Sequence, residues 1–455
     1  MSEDPPSPIT RRAVLGSAAG LTAVASLTGR SMAAQSATTR PTVLTRNVYL
    51  GVDLFRLFRA ESAAAFRRIA GELLESVDPD VYEARADAIA GEVAATDADV
   101  VALQEAALLR TQRPGDFGSA SPEPATDVLV DFLGLVESAL ADRDLDYEVA
   151  AVTTTTDVEL PADADGRQVD VRLTDRDAIL VRGDLETADA TAETFETSLP
   201  LPLPGGDRTV SLERGYCAVD VTVDGVAFRA VSTHLESVSP EARLGQAREL
   251  LAALPDDRPV VVGGDFNSGP GTDPGTYELL TAELGDAYAV LGGDSGGGED
   301  GEGFTCCQAS SLRNDRSRLD ERIDALLYRG RVRPVDLGRI GHRPEDRIEV
   351  RIDGGTVRLW PSDHAGVVGT FEVAAPTPTV TPTATPTSTA MGEPTATGTP
   401  TPANERTATT TAERTPTEPS SEGTPVTTSD GSGPGMGVLA ALAGLSGAVA
   451  RLRRD

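Results

Sequence analysis

Six short segments place amides, imidazoles or carboxylates at or beside the ends of apolar runs. They are Thr45-Arg46-Asn47-Val48-Tyr49, Val101-Ala102-Leu103-Gln104-Glu105, Val231-Ser232-Thr233-His234-Leu235, Val262-Gly263-Gly264-Asp265-Phe266-Asn267, Arg322-Ile323-Asp324-Ala325 and Ser362-Asp363-His364-Ala365. The chain has only four asparagines and three histidines, and two of each fall in these segments. A polar group at the end of a buried strand is held rigidly at a sheet edge. Carboxylates converging there are unfavourable unless a cation or a proton neutralises them. Oxygen donors such as Asn47, Glu105 and Asp363 suit Mg²⁺ or Mn²⁺ rather than zinc. Taken singly the segments are ambiguous. Gly-Asp-Phe-Asn is also a turn sequence, either histidine fits a core, and Glu105 fits the start of a loop. Their recurrence at strand ends, in order, is the argument.

The elements that must hold these residues read as short strands and intervening helices. Apolar runs predict strands at Val43–Tyr49, Val100–Gln104, Ala178–Arg182, Tyr216–Val223, Phe228–Thr233, Val260–Gly263, Ala325–Tyr328 and Gly366–Phe371. Helical periodicity predicts helices at about Ser62–Val77, Tyr82–Thr96, Thr126–Ala141 and Pro240–Leu254. Such a mixture predicts an α/β fold of packed sheets flanked by helices.

Composition bounds the setting. The 455 residues carry 71 Asp+Glu against 40 Lys+Arg, a formal charge of -31, and every basic residue is Arg. That balance excludes a nucleic-acid binder working through a basic patch at ordinary salt. No stretch of the body reaches the roughly 18 uninterrupted apolar residues of a membrane span. An acidic chain without Lys fits very high salt, where a Debye length of about 3 Å near 1 M screens self-repulsion and dense carboxylates keep the surface soluble. Under those conditions an anionic partner is again permitted, through local metal and Arg contacts.

Both ends predict processing. Residues 1–37 contain Arg11-Arg12 before a small and apolar stretch, as in a signal for the twin-arginine export machinery. Residues 40–374 are expected to form one folded domain. Residues 375–433, rich in Thr and Pro, are expected to be a disordered stalk. Residues 434–455 open with Pro434-Gly435-Met436, continue as an apolar run and end in Arg451, Arg453 and Arg454. The run from 436 to 450 is 15 residues, about 22 Å of helix against a roughly 30 Å hydrocarbon core. Its layout resembles archaeal sorting signals that a sortase-like enzyme removes with attachment to membrane lipid. An exported, surface-tethered and monomeric protein is therefore expected.

The six segments, in this order over about Thr42 to Val373, resemble the endonuclease/exonuclease/phosphatase superfamily, with its deoxyribonuclease I-like fold. The resemblance implies a four-layer α/β sandwich of two packed mixed sheets flanked by helices. It implies Asn47, Glu105 and Asp363 as ligands of Mg²⁺ or Mn²⁺, with Glu105 the principal one. It gives His234 a contact with the scissile phosphate or a part in leaving-group protonation, and Asp265 and Asn267 the orientation of the attacking water and the phosphate. His364 becomes a general base or a phosphate-stabilising imidazole, paired with Asp363, and Asp324 supports the site. The residues agree with that chemistry, because hydroxide attack on an anionic phosphodiester needs charge neutralisation, an aligned water and a stabilised leaving oxygen. No Gly-rich phosphate loop, Gly-x-Ser-x-Gly elbow or zinc signature competes.

Arg176 and Asp177, just before an apolar strand, are supporting candidates for phosphate binding, with Asp53 and Arg172 behind them. The candidate substrate is a phosphodiester, with nucleic acid favoured by Arg313, Arg316, Arg318 and Arg322 ahead of Asp324. A phospholipid or small-phosphoester enzyme of the same fold is the alternative, and an inactive surface adhesin is the non-enzymatic one. Among the cysteines, Cys306 and Cys307 could join as neighbours, or one could pair with Cys217.

Overall fold

A computed structural model describes residues 37–204, 208–292, 303–352 and 354–375. All of them lie in one unit, Ala37–Asp455. The expected signal, most of the stalk and the anchor segment fall outside the described residues.

Eight strands build the site. They are β1 (Thr42–Asn47), β2 (Val100–Gln104), β3 (Arg167–Arg182), β4 (Gly215–Val223), β5 (Val226–His234), β6 (Val260–Asp265), β7 (Asp324–Arg329) and β8 (Gly366–Ala374). Five helices matter here: α1 (Ala63–Glu75), α2 (Pro79–Thr96), α3 (Phe132–Ala141), α4 (Pro240–Ala253) and α5 (Pro274–Thr281). Among the described residues, β8-β1-β2-β3 form the middle of a nine-stranded sheet, and β7-β6-β5-β4 form the middle of a six-stranded one. Each sheet has a parallel pair in that middle, β1 with β2 and β5 with β6. The crossovers run through α1 and α2 in the first case and α4 in the second. Ser239 caps α4, its side chain accepting from Ala242 N at 3.2 Å, with Pro240 in the first turn.

The sequence alternation sorts side chains into layers. Val43, Val100, Ile179 and Val181 of the first sheet meet Val219, Phe228, Val261 and Leu326 of the second. Their neighbours Leu44, Val101 and Leu180 point the other way, onto Ile89 and Val93 of α2 and Phe132 and Val136 of α3. Val231, Val260, Val262 and Leu327 likewise cover Ala247 and Leu250 of α4 and Leu280 of α5. Strands buried on both faces read as unbroken apolar runs, which is why they were legible. The result is the expected four-layer α/β sandwich. Gly263 lets the sheets approach closely, since a Cβ there would lie 2.9 Å from Thr45 Cβ and 3.1 Å from Ala102 Cβ.

Two expectations need correction. The span Thr126–Ala141 is a strand, Asp127–Asp131, followed by α3, because the Asp131 side chain accepts from Gly134 N and starts the helix there. The hairpin of Tyr147–Ala164 with β3 is far longer than the Ala178–Arg182 run that announced it. Among the described residues, no helix is long and apolar enough to cross a membrane.

Candidate active site

The topology brings all six segments to one end of the molecule. Asn47, His234 and Asp265 are the last residues of β1, β5 and β6, and Glu105 follows the last residue of β2. These are the carboxyl ends of the parallel strands, where open α/β sheets place their ligands. Strands β7 and β8 run antiparallel to β6 and β1, so Asp324 sits directly across from Asp265, and His364 precedes the start of β8 at the same end. Tyr49, Glu105 and Asn267 have φ of 60°, 60° and 48°. Left-handed backbone is uncommon for such residues and gathers at functional sites. Here it turns the chain sharply at three strand tips.

Asn47 Nδ2 donates to Asp265 Oδ2 at 3.0 Å and to Glu105 Oε1 at 3.3 Å. Its oxygen accepts from Tyr49 N at 2.9 Å. As placed, the Asn47 amide presents its donor to two carboxylates, and its oxygen accepts one backbone N–H and keeps a second lone pair. Glu105 Oε2 accepts from Leu50 N at 2.8 Å. Burial first, then the negative Asp175, pushes the Glu105 carboxyl upward. Asp363 is pushed up to about 6, by burial and against the lowering pull of His364, and its Oδ1 is buried with no hydrogen-bond partner among the described residues.

His364 Nδ1 lies 2.8 Å from Asp324 Oδ2, and Nε2 lies 4.0 Å from Asp363 Oδ1. The expected Asp363–His364 pairing is therefore corrected: Asp324, forty residues away in sequence, holds the ring. Asp363, adjacent in the chain, adds its charge at the Nε2 side without a hydrogen bond to the ring. Burial opposes charge on His364, yet Asp324, Asp265 and Asp363 outweigh it and hold the imidazole well above its ordinary value. Asp265 accepts from Asn267 N at 2.9 Å through Oδ1, and its Oδ2 lies 3.8 Å from His364 Nε2. Burial, reinforced by Asp324, pushes Asp265 up to about 6.

His234 shows what the sequence reading missed. Its Nδ1 lies 3.1 Å from Arg214 Nη1, and Nε2 lies 3.0 Å from the Asn267 amide and 3.5 Å from Asp265 Oδ2. The Arg214 guanidinium and the Asn267 Nδ2 amide are both donors, so they compete for the single acceptor nitrogen of a neutral imidazole. Burial first, then the charges of Arg214 and His364, holds this imidazole neutral, well below its ordinary value. Arg214 precedes β4, and Gly215 pairs with His234. An Arg abutting an apolar run opposite a site histidine was the available signal. Ser362 was missed too; its hydroxyl donates to Asn47 O at 2.8 Å and accepts from His364 N at 3.1 Å.

The supporting candidates fare differently. Asp177 is fully buried behind Glu105, and burial first, then Asp175, pushes its carboxyl well above the ordinary value. Arg176 is already engaged, through Nε to Ala106 O at 2.8 Å and through Nη2 to Asp131, so the expected phosphate contact is corrected to a structural one. Arg172 pairs with Asp157, and Asp53 caps the Leu54–Arg59 turn. Arg322 is half-buried and paired with Asp286, at 2.7 Å, which removes it from the proposed basic cluster. Cys306 and Cys307 are bonded to each other, and Cys217 is free and buried between the sheets.

The site fits a hard divalent cation. Glu105, Asp363 and Asp265 supply carboxylate oxygens, one of them buried with no hydrogen-bond partner among the described residues.

A four-layer sandwich with acids, amides and two imidazoles at the carboxyl ends of its central strands defines a class of hydrolase. The model of the Endonuclease/Exonuclease/phosphatase family matches residues 82–364. The chain belongs to that family, whose members hydrolyse phosphoester bonds. Among solved structures it is similar to a family protein from Bacteroides thetaiotaomicron, at 16% identity over 74% of this chain and 99% of that one, with a TM-score of 0.43. It is also similar to truncated Caenorhabditis elegans TDP2, at 18% identity over 73% and 97%, TM-score 0.41. A third is the Bacteroides thetaiotaomicron mannosyl-6-phosphatase Bt3783, at 17% identity over 73% and 99%, TM-score 0.41. No curated protein matches.

Proposed function

We propose that the chain is an exported, surface-tethered, monomeric phosphodiesterase that uses Mg²⁺ or Mn²⁺ and acts on nucleic acid. The observation that carries this reading is the meeting of Glu105, Asp265, Asp363, His234, His364 and Asn267 at one end of both sheets. Glu105 and Asp363 would hold the metal, which supplies charge neutralisation at the phosphate and the leaving oxygen. His234, held neutral by burial and by Arg214, stands beside Asn267 and Asp265, where it would contact a phosphate oxygen. Asp265, held by Asn47 Nδ2 and Asn267 N, accepts the proton of the attacking water. His364, backed by Asp324 at 2.8 Å, is an imidazolium that meets the charge developing on the phosphate, rather than a base.

Nucleic acid is supported by exposed Arg313 and Arg316 on the loop that Gln308 N ties to Asp363 O at 2.7 Å. A second reading, phospholipid headgroups, has its own support. Phe55 and Phe58 are exposed, with ring centroids 6.0 Å apart, on the turn that begins shortly after Leu50 meets Glu105. Export by the twin-arginine route, and tethering by a sortase-like enzyme to membrane lipid, rest on the sequence of the two termini.

The test is a substrate panel in multimolar salt with Mg²⁺ or Mn²⁺, comparing plasmid DNA, RNA, phosphatidylcholine vesicles and bis-p-nitrophenyl phosphate. Cleavage of DNA or RNA that falls at least tenfold in Arg313→Ser/Arg316→Ser supports the first reading. Vesicle hydrolysis that falls in Phe55→Ser/Phe58→Ser, with nucleic acid untouched, would replace it.

A further inference from the structure

A second group of acids lies away from the catalytic end. Asp170 is on β3, seven residues before Asp177, or about 23 Å along the strand at roughly 3.3 Å per residue. Glu159 lies on the partner strand Tyr147–Ala164, and Asp116 in the connection after the strand Leu108–Gln112. One ligand atom from each lies within 4.8 Å of the others.

The backbone of the connection engages one oxygen of every carboxylate. Asp170 Oδ2 accepts from Asp116 N at 2.5 Å and Phe117 N at 2.8 Å. Asp116 Oδ2 accepts from Glu123 N at 3.2 Å, and Glu159 Oε2 from Ala125 N at 2.7 Å. The remaining oxygens of Asp170 and Asp116 are buried and have no partner among the described residues. Asp170 is itself 0% exposed. Gly115 leaves room beside it, since a Cβ there would stand 2.6 Å from Asp170 Oδ1. Arg110 and Arg172 lend their charge to Glu159 but bond Asp157, and Arg113 pairs with Asp165, so none of these three bonds Asp116 or Asp170.

Buried carboxylate oxygens left without a hydrogen bond are strongly unfavourable unless a cation reaches them. We propose that Asp116, Glu159 and Asp170 form a second metal site, independent of the catalytic one, that takes Ca²⁺ and fastens the connection over residues 113–125 to the long hairpin. The donors are all hard oxygens, which excludes the thiolate- and imidazole-loving metals. Ca²⁺ accepts several protein carboxylates in adaptable geometry, whereas Mg²⁺ keeps its waters and seldom occupies such a cage.

The experiment uses the full chain, stripped with chelator and titrated with Ca²⁺ alone. Thermal unfolding and residue-level hydrogen exchange are the readouts. Added Ca²⁺ should raise the melting temperature and slow exchange at the amides of Asp116, Phe117, Glu123 and Ala125 at least tenfold. Asp116→Asn and Glu159→Gln should each weaken Ca²⁺ binding at least tenfold, while Glu105→Gln at the catalytic end keeps the response. A wild-type protein indifferent to Ca²⁺ would overturn the proposal. So would a response that survives both Asp116→Asn and Glu159→Gln, or one that disappears in Glu105→Gln.

Discussion

Replacing Asp324 by Asn isolates the step in which His364 is held charged. The side chains are 1% and 7% exposed, and the contact is 2.8 Å. A hydrogen bond to a charged group in such a setting is worth about 1.5–3 kcal/mol, and about 1.4 kcal/mol is a factor of ten in rate. If the charge on His364 is needed chiefly as the phosphate takes up negative charge, kcat should fall roughly 10- to 150-fold. KM should hardly move, because Asp324 faces the far side of the ring. The shape of the side chain is preserved, and removing the carboxylate relieves its repulsion of Asp265, so the fold should persist. The assay is hydrolysis of bis-p-nitrophenyl phosphate at saturating substrate and fixed Mn²⁺, with a melting curve alongside. A kcat within twofold of wild type in a folded variant would refute the role given to the pair. A loss confined to KM would refute the argument that it acts late in the reaction.

Three further outcomes follow from the packing. Gly263→Ala forces a Cβ against Thr45 and Ala102 and should cost about 1–3 kcal/mol in chemical denaturation. Arg85→Met leaves Pro361 O, Val48 O and Tyr49 O without their buried donor. At about 1–3 kcal/mol for each orphaned group, it should be the most destabilising of the three, read by the same denaturation. Arg176→Gln breaks a pair whose acid, Asp131, is 44% exposed. That is worth no more than about 1 kcal/mol, so kcat should stay within threefold, and a hundredfold loss would restore Arg176 to phosphate binding.

The strands that bury both faces announced themselves, and with them the six tips that carry the site. What stayed hidden depends on partners far apart in the chain. Asp324 rather than neighbouring Asp363 grips His364, because β7 and β8 bring their starts together at one end of two different sheets. Arg214 reads as one more surface arginine until β4 places it against His234. Tyr147–Ala164 contains Thr153-Thr154-Thr155-Thr156 and Pro161 and resembles a polar loop, yet β3 pairs with it along its length. The Glu186–Thr194 strand is exposed at every position, so no apolar alternation marks it.

The central claim is that Glu105 and its neighbours form a metal-dependent hydrolytic centre. Its most direct test is hydrolysis of bis-p-nitrophenyl phosphate by chelator-treated full chain, with Mn²⁺ restored stepwise to wild type and to Glu105→Gln. The account predicts no turnover without metal, saturable recovery in wild type, and at least a hundredfold less in Glu105→Gln at the same Mn²⁺. Turnover indifferent to chelation, or Glu105→Gln recovering as wild type does, would contradict it.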